Sequence, residues 1–136
     1  MNRTEAIETA ARWWAKKLQI RRPHSNGDSS PASIFACMLA DLGTEPVSDA
    51  KLEVFVADLA KRVDKDLREH RTCWLSCDYG PCNLLGEAAK KAGINTMNFP
   101  YKTHMNISPM GGDEYKVEVA DGYGRPYVEL TNERSN

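Results

Sequence analysis

Apolar residues recur every three or four positions through the first half of the chain, which is the spacing of one buried face of an α-helix. Asn2 and Glu5 form a capping box before the first such segment, so the pattern predicts a helix at about 3–19. Its apolar face consists of Ile7, Ala10, Ala11, Trp14 and Leu18. Trp13 lies beside that face, and we interpret it as widening the core, with a binding platform as the alternative.

Two more helices are predicted before residue 70. Ser30 and Pro31 open the first of them, after a surface loop at 21–30, and Gly43 ends it. Ser48 caps the second, which is the longest helical pattern in the chain. The predicted buried faces are Ile34, Phe35, Met38, Leu39 and Leu42 in the first, and Leu52, Phe55, Val56, Leu59, Val63 and Leu67 in the second.

The period changes from helical to alternating at Thr72, which predicts a strand. The residues on its buried side are Cys73, Leu75 and Cys77. Gly80 and Pro81 then make a tight start for a fourth helix, and Gly93 ends it with a left-handed residue.

Alternation returns at 103–108 and at 115–119, on either side of a turn at 109–113, and this predicts a hairpin. A short final strand is predicted around Val128, after a break at 122–126 that contains two glycines and a proline. A right-handed crossover through the fourth helix could place the first two strands in parallel, with the hairpin adding an antiparallel strand.

Together these elements predict a single α+β domain over 1–136. A helical part at 1–70, with about three N-terminal helices, precedes a β-α-β-β unit at 71–130 and a polar tail at 131–136. The β-α-β-β unit is expected to form a small sheet that is mixed or antiparallel.

Composition and charge narrow the classes of function. The chain has 136 residues, of which 41% are hydrophobic and 27% charged, and these fractions exclude a disordered protein. Lysine and arginine total 18 against 19 acidic residues, so no long-range field attracts nucleic acid. Direct nucleic-acid binding through Arg21, Arg22 and His24 with Trp13 is therefore the weakest of the alternatives.

Nothing in the sequence predicts contact with a membrane. No apolar run approaches the ~20 residues of a membrane span, and Glu5 and Glu8 occupy positions where a signal peptide would be apolar. We therefore expect a cytoplasmic protein and interpret its four cysteines as free thiols, including Cys37 within a predicted helix.

One candidate for catalysis lies at the junction of the first strand and the fourth helix. Cys82 is predicted in the first turn of that helix, where free backbone N–H groups favour a thiolate. With Asp78 and His104 it makes a candidate Cys-His-Asp set. Any small chain with four cysteines and three histidines offers such a triple, so we favour a packed cysteine and a protein that is not an enzyme.

The same residues offer a poor zinc site. Structural zinc sites draw paired ligands from a short knuckle on a loop, whereas Cys73 and Cys77 would lie roughly 13 Å apart on one side of an extended strand. Although Cys82 lies close to these two cysteines in sequence and His104 could supply a fourth ligand, we expect neither a metal nor a cofactor.

A phosphate or nucleotide is the alternative ligand. The helix start at Pro81 and Cys82 would attract an anion, but Gly80 and Pro81 lack the glycine fingerprints of known phosphate loops. We therefore favour a plain turn, with tyrosines covering a thin core. The side chains that would hold a ligand are Lys102, Arg125, Tyr79, Tyr101 and Tyr123.

Aromatic residues in two loops suggest a protein interface instead. Tyr123 lies between two glycines and beside Arg125, and exposed tyrosine and arginine dominate binding energy at interfaces. A bulged turn is the equal alternative, and the segment 99–102 either locks a loop over the sheet or presents a contact. The predicted interface residues are Tyr79, Tyr101, Lys102, Tyr123, Arg125 and Tyr127.

Five short sequences complete the pattern: WWAKKL from Trp13, CDYGPC from Cys77, AGI from Ala92, NFPYKT from Asn98 and GYGRP from Gly122. The combination resembles a group of small uncharacterised accessory proteins carried by prophages and mobile elements of gut bacteria. The resemblance implies no catalytic residue. It implies a protein that binds and inhibits a host protein, for example a nuclease or signalling enzyme of antiviral defence such as a CRISPR effector.

Overall fold

The computed structural model describes residues 1–19 and 47–131, which form three α-helices and a four-stranded antiparallel sheet. The predicted α+β class is therefore confirmed. The predicted loop at 21–30, the helix that Pro31 opens and all of the tail after Thr131 lie outside the described residues. The same holds for Cys37, Arg21, Arg22 and His24.

The first two described helices begin at the caps that the sequence indicates, and the third ends at its predicted glycine. Helix α1 spans Arg3–Gln19, and its capping box is present, with the Glu5 N–H donating to Asn2 Oδ1 at 2.8 Å. Helix α2 spans Asp49–His70 after the N-cap Ser48, whose hydroxyl accepts from the backbone N–H of Lys51. Helix α3 spans Asn83–Ala92 and ends at a left-handed glycine. No helix within these residues is long and apolar enough to cross a membrane.

The strands are β1 (Cys73–Cys77), β2 (Thr103–Gly111), β3 (Glu114–Asp121) and β4 (Val128–Leu130), paired in chain order. All three pairings are antiparallel, so of the two sheets that the sequence left open, mixed or antiparallel, the antiparallel one forms and the parallel crossover does not.

The returning chain explains the direction of β2. After α3 and a short 3-10 turn, the ring of Phe99 packs between Trp14 and Phe55, with centroid distances of 6.1 and 6.0 Å. This places the chain beside the end of β1, where the Lys102 N–H donates to the Asp78 carbonyl at 3.0 Å. Strand β2 therefore starts where β1 ends and must run back along it.

The predicted hairpin is confirmed, although its turn is tighter than 109–113. Gly112 and Asp113 alone connect β2 to β3, with a positive φ at Gly112 as in a type II′ turn. Pro109 pairs with Tyr115 inside the ladder, next to a bulge. Proline fits there because the Tyr115 N–H points away from β2, to Met1 O at 2.7 Å, so this pair exchanges no hydrogen bond.

The core lies between the helices and one face of the sheet. Alternate residues of the strands point into it, including the buried side of β1 that the sequence predicted. Trp14 is completely buried, and Trp13 is half-buried with its ring edge-on to Trp14 at 5.1 Å. The interpretation of Trp13 as an extension of the core is confirmed.

Candidate functional site

Strand register brings three connecting segments to one end of the sheet. Cys77 pairs with Thr103, and Thr103 pairs with Asp121, so β1 ends, β2 begins and β3 ends side by side. Because neighbouring strands lie about 4.8 Å apart, these three points span only about 10 Å. We call the residues at 78–80, 99–102 and 122–127 the sheet-end surface.

The corner after β1 is held together by Lys102. Its Nζ lies 3.4 Å from Asp78 Oδ1 and 4.3 Å from the centroid of the Tyr79 ring. Desolvation lowers the pKa of Lys102, but the carboxylate of Asp78 and the ring hydroxyl of Tyr79 outweigh it and leave the pKa raised. Lys102 therefore stays charged and covers one side of Tyr79, which is still 80% exposed.

Lys102 also has an unusual backbone. Its φ of 54° lies in the left-handed region, which costs a residue with a side chain about 1–2 kcal/mol. The hydrogen bond from its N–H to Asp78 and the contacts of its side chain offset this cost. The strain therefore coincides with the residue that orients Tyr79, as is common at binding sites.

The loop after β3 is a defined turn. The Arg125 N–H donates to Gly122 O at 3.3 Å, and Gly124 between them has a φ of 72°, the pattern of a type II turn with Tyr123 at its second position. Tyr123 is 86% exposed at the tip. At the base, Lys17 Nζ lies 2.5 Å from Asp121 Oδ2, so the loop is tied to α1.

Of the two interpretations of the turn at 99–102, the locked loop is confirmed, and a contact with a partner stays a prediction. Phe99 is only 2% exposed and belongs to the core, whereas Tyr101 projects from the surface. The buried hydroxyl of Thr103 donates to the Tyr101 carbonyl at 3.1 Å and so fixes the end of the turn.

Replacing Thr103 with valine should lower the free energy of unfolding by about 1 kcal/mol, because valine keeps the volume but cannot donate this hydrogen bond. Urea unfolding measures the change. The same substitution at exposed Thr96 is the matched control and should alter stability by less than about 0.5 kcal/mol. Equal stability of the Thr103 variant and the wild type would show that the hydrogen bond of the Thr103 hydroxyl does not stabilise the turn.

All six predicted interface residues lie in or beside the sheet-end surface. They differ in charge pairing: Lys102 is bound to Asp78, whereas Arg125 has no carboxylate partner among the described residues. Tyr127 lies next to the first residue of β4 and is also exposed.

The candidate Cys-His-Asp set is only partly brought together. His104 Nε2 lies 3.5 Å from Asp78 Oδ1. Cys82, however, lies against the outer edge of β1, where its Sγ accepts from the Ser76 N–H at 3.5 Å, while His104 belongs to β2 on the other side of β1. Two positions that flank one strand are about 10 Å apart, so Cys82 and His104 are not in proton-transfer contact.

Two of the cysteines are buried and poorly reactive. Burial raises the pKa of Cys77 to about 11, with smaller contributions from Cys82 and Asp78. Burial and the neighbouring Asp66 raise the pKa of Cys73 as well. At neutral pH the thiolate of Cys77 is therefore only about one part in 10⁴.

A thiol reagent such as iodoacetamide should consequently modify half-buried Cys82 before Cys73 or Cys77 at pH 7. Mass spectrometry of peptides after brief labelling of the native protein measures the order. Because the pKa of Cys77 is raised to about 11, its thiolate fraction and its labelling rate should keep rising with pH and level off only above about pH 11. Labelling of Cys77 as fast as Cys82 at pH 7 would contradict this assignment.

Metal ions and small anions are the two other ligand classes that the sequence suggests for this region. No group of three His, Cys, Asp or Glu residues within 1–19 and 47–131 could hold a metal ion. The prediction that Cys82 lies in the first turn of a helix is wrong, because Cys82 is the N-cap and α3 begins at Asn83. The cap makes no side-chain hydrogen bond to the helix, and binding of a small anion there stays a prediction.

Trp74 is an exposed surface residue that the sequence analysis did not include among the candidate binding residues. It lies on the outer side of β1 and is 60% exposed. The alternation of residues along β1 places Trp74 on the face opposite the buried cysteines, so its exposure could have been predicted from the sequence.

Comparison with known proteins adds nothing to these observations. A scan against protein-family models finds no match, and a search of curated proteins finds none either. The function has to be inferred from the surface of the chain itself.

Proposed function

We propose that this chain is a non-enzymatic protein-binding module that captures and inhibits a host protein through the sheet-end surface. The observation that carries the proposal is the concentration of exposed tyrosines on structured turns at one end of the sheet. These tyrosines are Tyr79, Tyr101, Tyr123 and Tyr127.

Exposed tyrosines favour protein binding for energetic reasons. Each ring buries a large area on contact but has only two side-chain torsions to immobilise, so it loses little entropy. The turns that carry Tyr79 and Tyr123 are already held by Lys102 and by the Gly122–Arg125 hydrogen bond. Partners therefore meet a surface that needs little reorganisation.

The charges of the surface favour a protein over a nucleic acid. Asp78 neutralises Lys102, and Asp121 neutralises Lys17 at the base of the loop. Arg125 is left to pair with a carboxylate of the partner at the rim of the tyrosines. A phosphate backbone would require several unpaired cations instead.

The biological setting of the proposal rests on the resemblance alone. Accessory proteins of prophages that have this size act in the host cytoplasm, and their targets include nucleases and signalling enzymes of antiviral defence, such as CRISPR effectors. Inhibition by occlusion needs no catalytic group, only a tight contact over the active or assembly surface of the target.

Affinity capture from the native host followed by mass spectrometry tests the proposal. The second bait carries serine at Tyr79, Tyr101, Tyr123 and Tyr127, all of which are exposed, so its fold should be retained. We expect one host protein to be enriched by the wild type and absent from the variant bait. Equal recovery on both baits, or no enrichment by the wild type, would refute the proposed surface.

A further inference from the structure

Among the strands of residues 47–131, β1 is an edge of the sheet, with β2 as its one neighbour. The described residues close only part of that edge. On the other side, Cys82 donates its N–H to Ser76 O at 2.8 Å, and Cys82 Sγ accepts from the Ser76 N–H at 3.5 Å. Both main-chain groups of Ser76 therefore point away from β2, and both are occupied.

The main-chain groups of Trp74 have the same orientation as those of Ser76, and no residue within 1–19 or 47–131 covers them. In an antiparallel ladder the direction of the main-chain groups alternates, so the N–H and C=O of Trp74 point off the edge in the same way as those of Ser76. Neither group has a hydrogen-bond partner among the described residues. The exposed indole of Trp74 stands beside these two groups, on the outer face of the sheet.

We propose that the open edge at Trp74 receives an extended segment of a partner protein as an added strand. The segment pairs its backbone with the free N–H and C=O of Trp74 and packs an apolar side chain on the indole. Because Cys82 closes the edge at Ser76, the added strand extends from Trp74 towards Thr72.

The unpaired main-chain groups of this edge favour an extended polypeptide as the binding partner. A free N–H and C=O side by side match the alternating donors and acceptors of an extended chain, whereas a helix has already satisfied its own main-chain groups. The row of the outer face that contains Trp74 also contains Glu118, which is paired with Lys116 at 3.3 Å, and Glu129, whose carboxylate repels the phosphates of a nucleic acid. This second contact is independent of the sheet-end surface and does not rest on it.

Amide hydrogen exchange in the free protein is the first test. The Trp74 amide should exchange rapidly because it points to solvent, whereas the Leu75 amide, which faces β2, should be protected. Equal protection of the two amides would mean that the edge is closed, and the inference would be overturned.

Selection from a random-peptide display library is the second test. Proline at Trp74 removes the free N–H, and an edge strand tolerates proline where that N–H faces solvent. Alanine at Trp74 is the matched control, because it removes the indole but keeps the N–H. We expect selected peptides to bind the wild type, to bind Trp74→Ala more weakly, and to bind Trp74→Pro at least about tenfold more weakly than Trp74→Ala.

If the proline variant fails to fold, hydrogen exchange of the wild-type protein with bound peptide tests the inference instead. In that case the wild-type protein with bound peptide should gain exchange protection at the Trp74 amide. The inference is overturned if no peptide is selected, if the selected peptides bind Trp74→Pro as well as Trp74→Ala, or if peptide binding leaves the Trp74 amide unprotected.

Discussion

Replacing Phe99 with alanine should destabilise the protein by about 3–5 kcal/mol, the usual cost of removing a buried aromatic ring. The ring contacts Trp14 of α1 and Phe55 of α2, so its loss leaves a cavity where two helices meet the returning chain. Phe99 also directs the chain back to the end of β1. The substitution should therefore weaken partner capture as well, because Tyr101 and Lys102 follow directly after this residue.

Urea unfolding of the Phe99→Ala variant measures the effect. Phe99→Leu is the matched control: it keeps most of the apolar volume and should cost about 1 kcal/mol. A loss below about 1 kcal/mol for the alanine variant would contradict the central position of Phe99 in the core.

Helix α1 and strand β1 can be predicted from local patterns in the sequence. The apolar face that includes Trp14 and the capping box at Asn2 define α1 within the predicted bounds. Alternation from Cys73 to Cys77 defines β1 and its buried side in the same way. These patterns depend only on the spacing of residues along a helix or strand, so the elements can be predicted without knowledge of tertiary contacts.

The direction of β2 could not be predicted in this way. A strand, a helix and a strand in succession usually form a parallel pair, and the contact that reverses the chain here is tertiary. Phe99 must find Trp14 and Phe55, which lie far from it in sequence. No local pattern around Phe99 reports that contact.

The candidate site likewise has features that local sequence patterns predict and features that depend on tertiary structure. The exposure of Tyr123 and Arg125 could be predicted because glycines and proline around them indicate a surface loop. Their proximity to Tyr79 depends on the register Cys77–Thr103–Asp121, which follows only from the antiparallel sheet. The clamp of Lys102 on Tyr79 depends on that register too.

Replacing Tyr123 and Arg125 together with alanine should lower affinity for the captured partner by at least about 100-fold, or about 2.7 kcal/mol. Tyr123 at the tip of its turn would be a central aromatic contact, and Arg125 would lose a charge-assisted hydrogen bond. Both side chains are exposed, so the free energy of unfolding should change by less than about 0.5 kcal/mol. Binding and folding are thereby separated in one variant.

The affinity of the purified partner for this double variant is the most direct test of the sheet-end surface as the binding site. The matched control replaces Met110 and Lys91 with alanine, an exposed apolar residue and an exposed cation outside that surface. We predict a dissociation constant raised at least about 100-fold for Tyr123→Ala/Arg125→Ala and less than about threefold for the control. Equal affinities of the two double variants would contradict the assignment of binding to this end of the sheet.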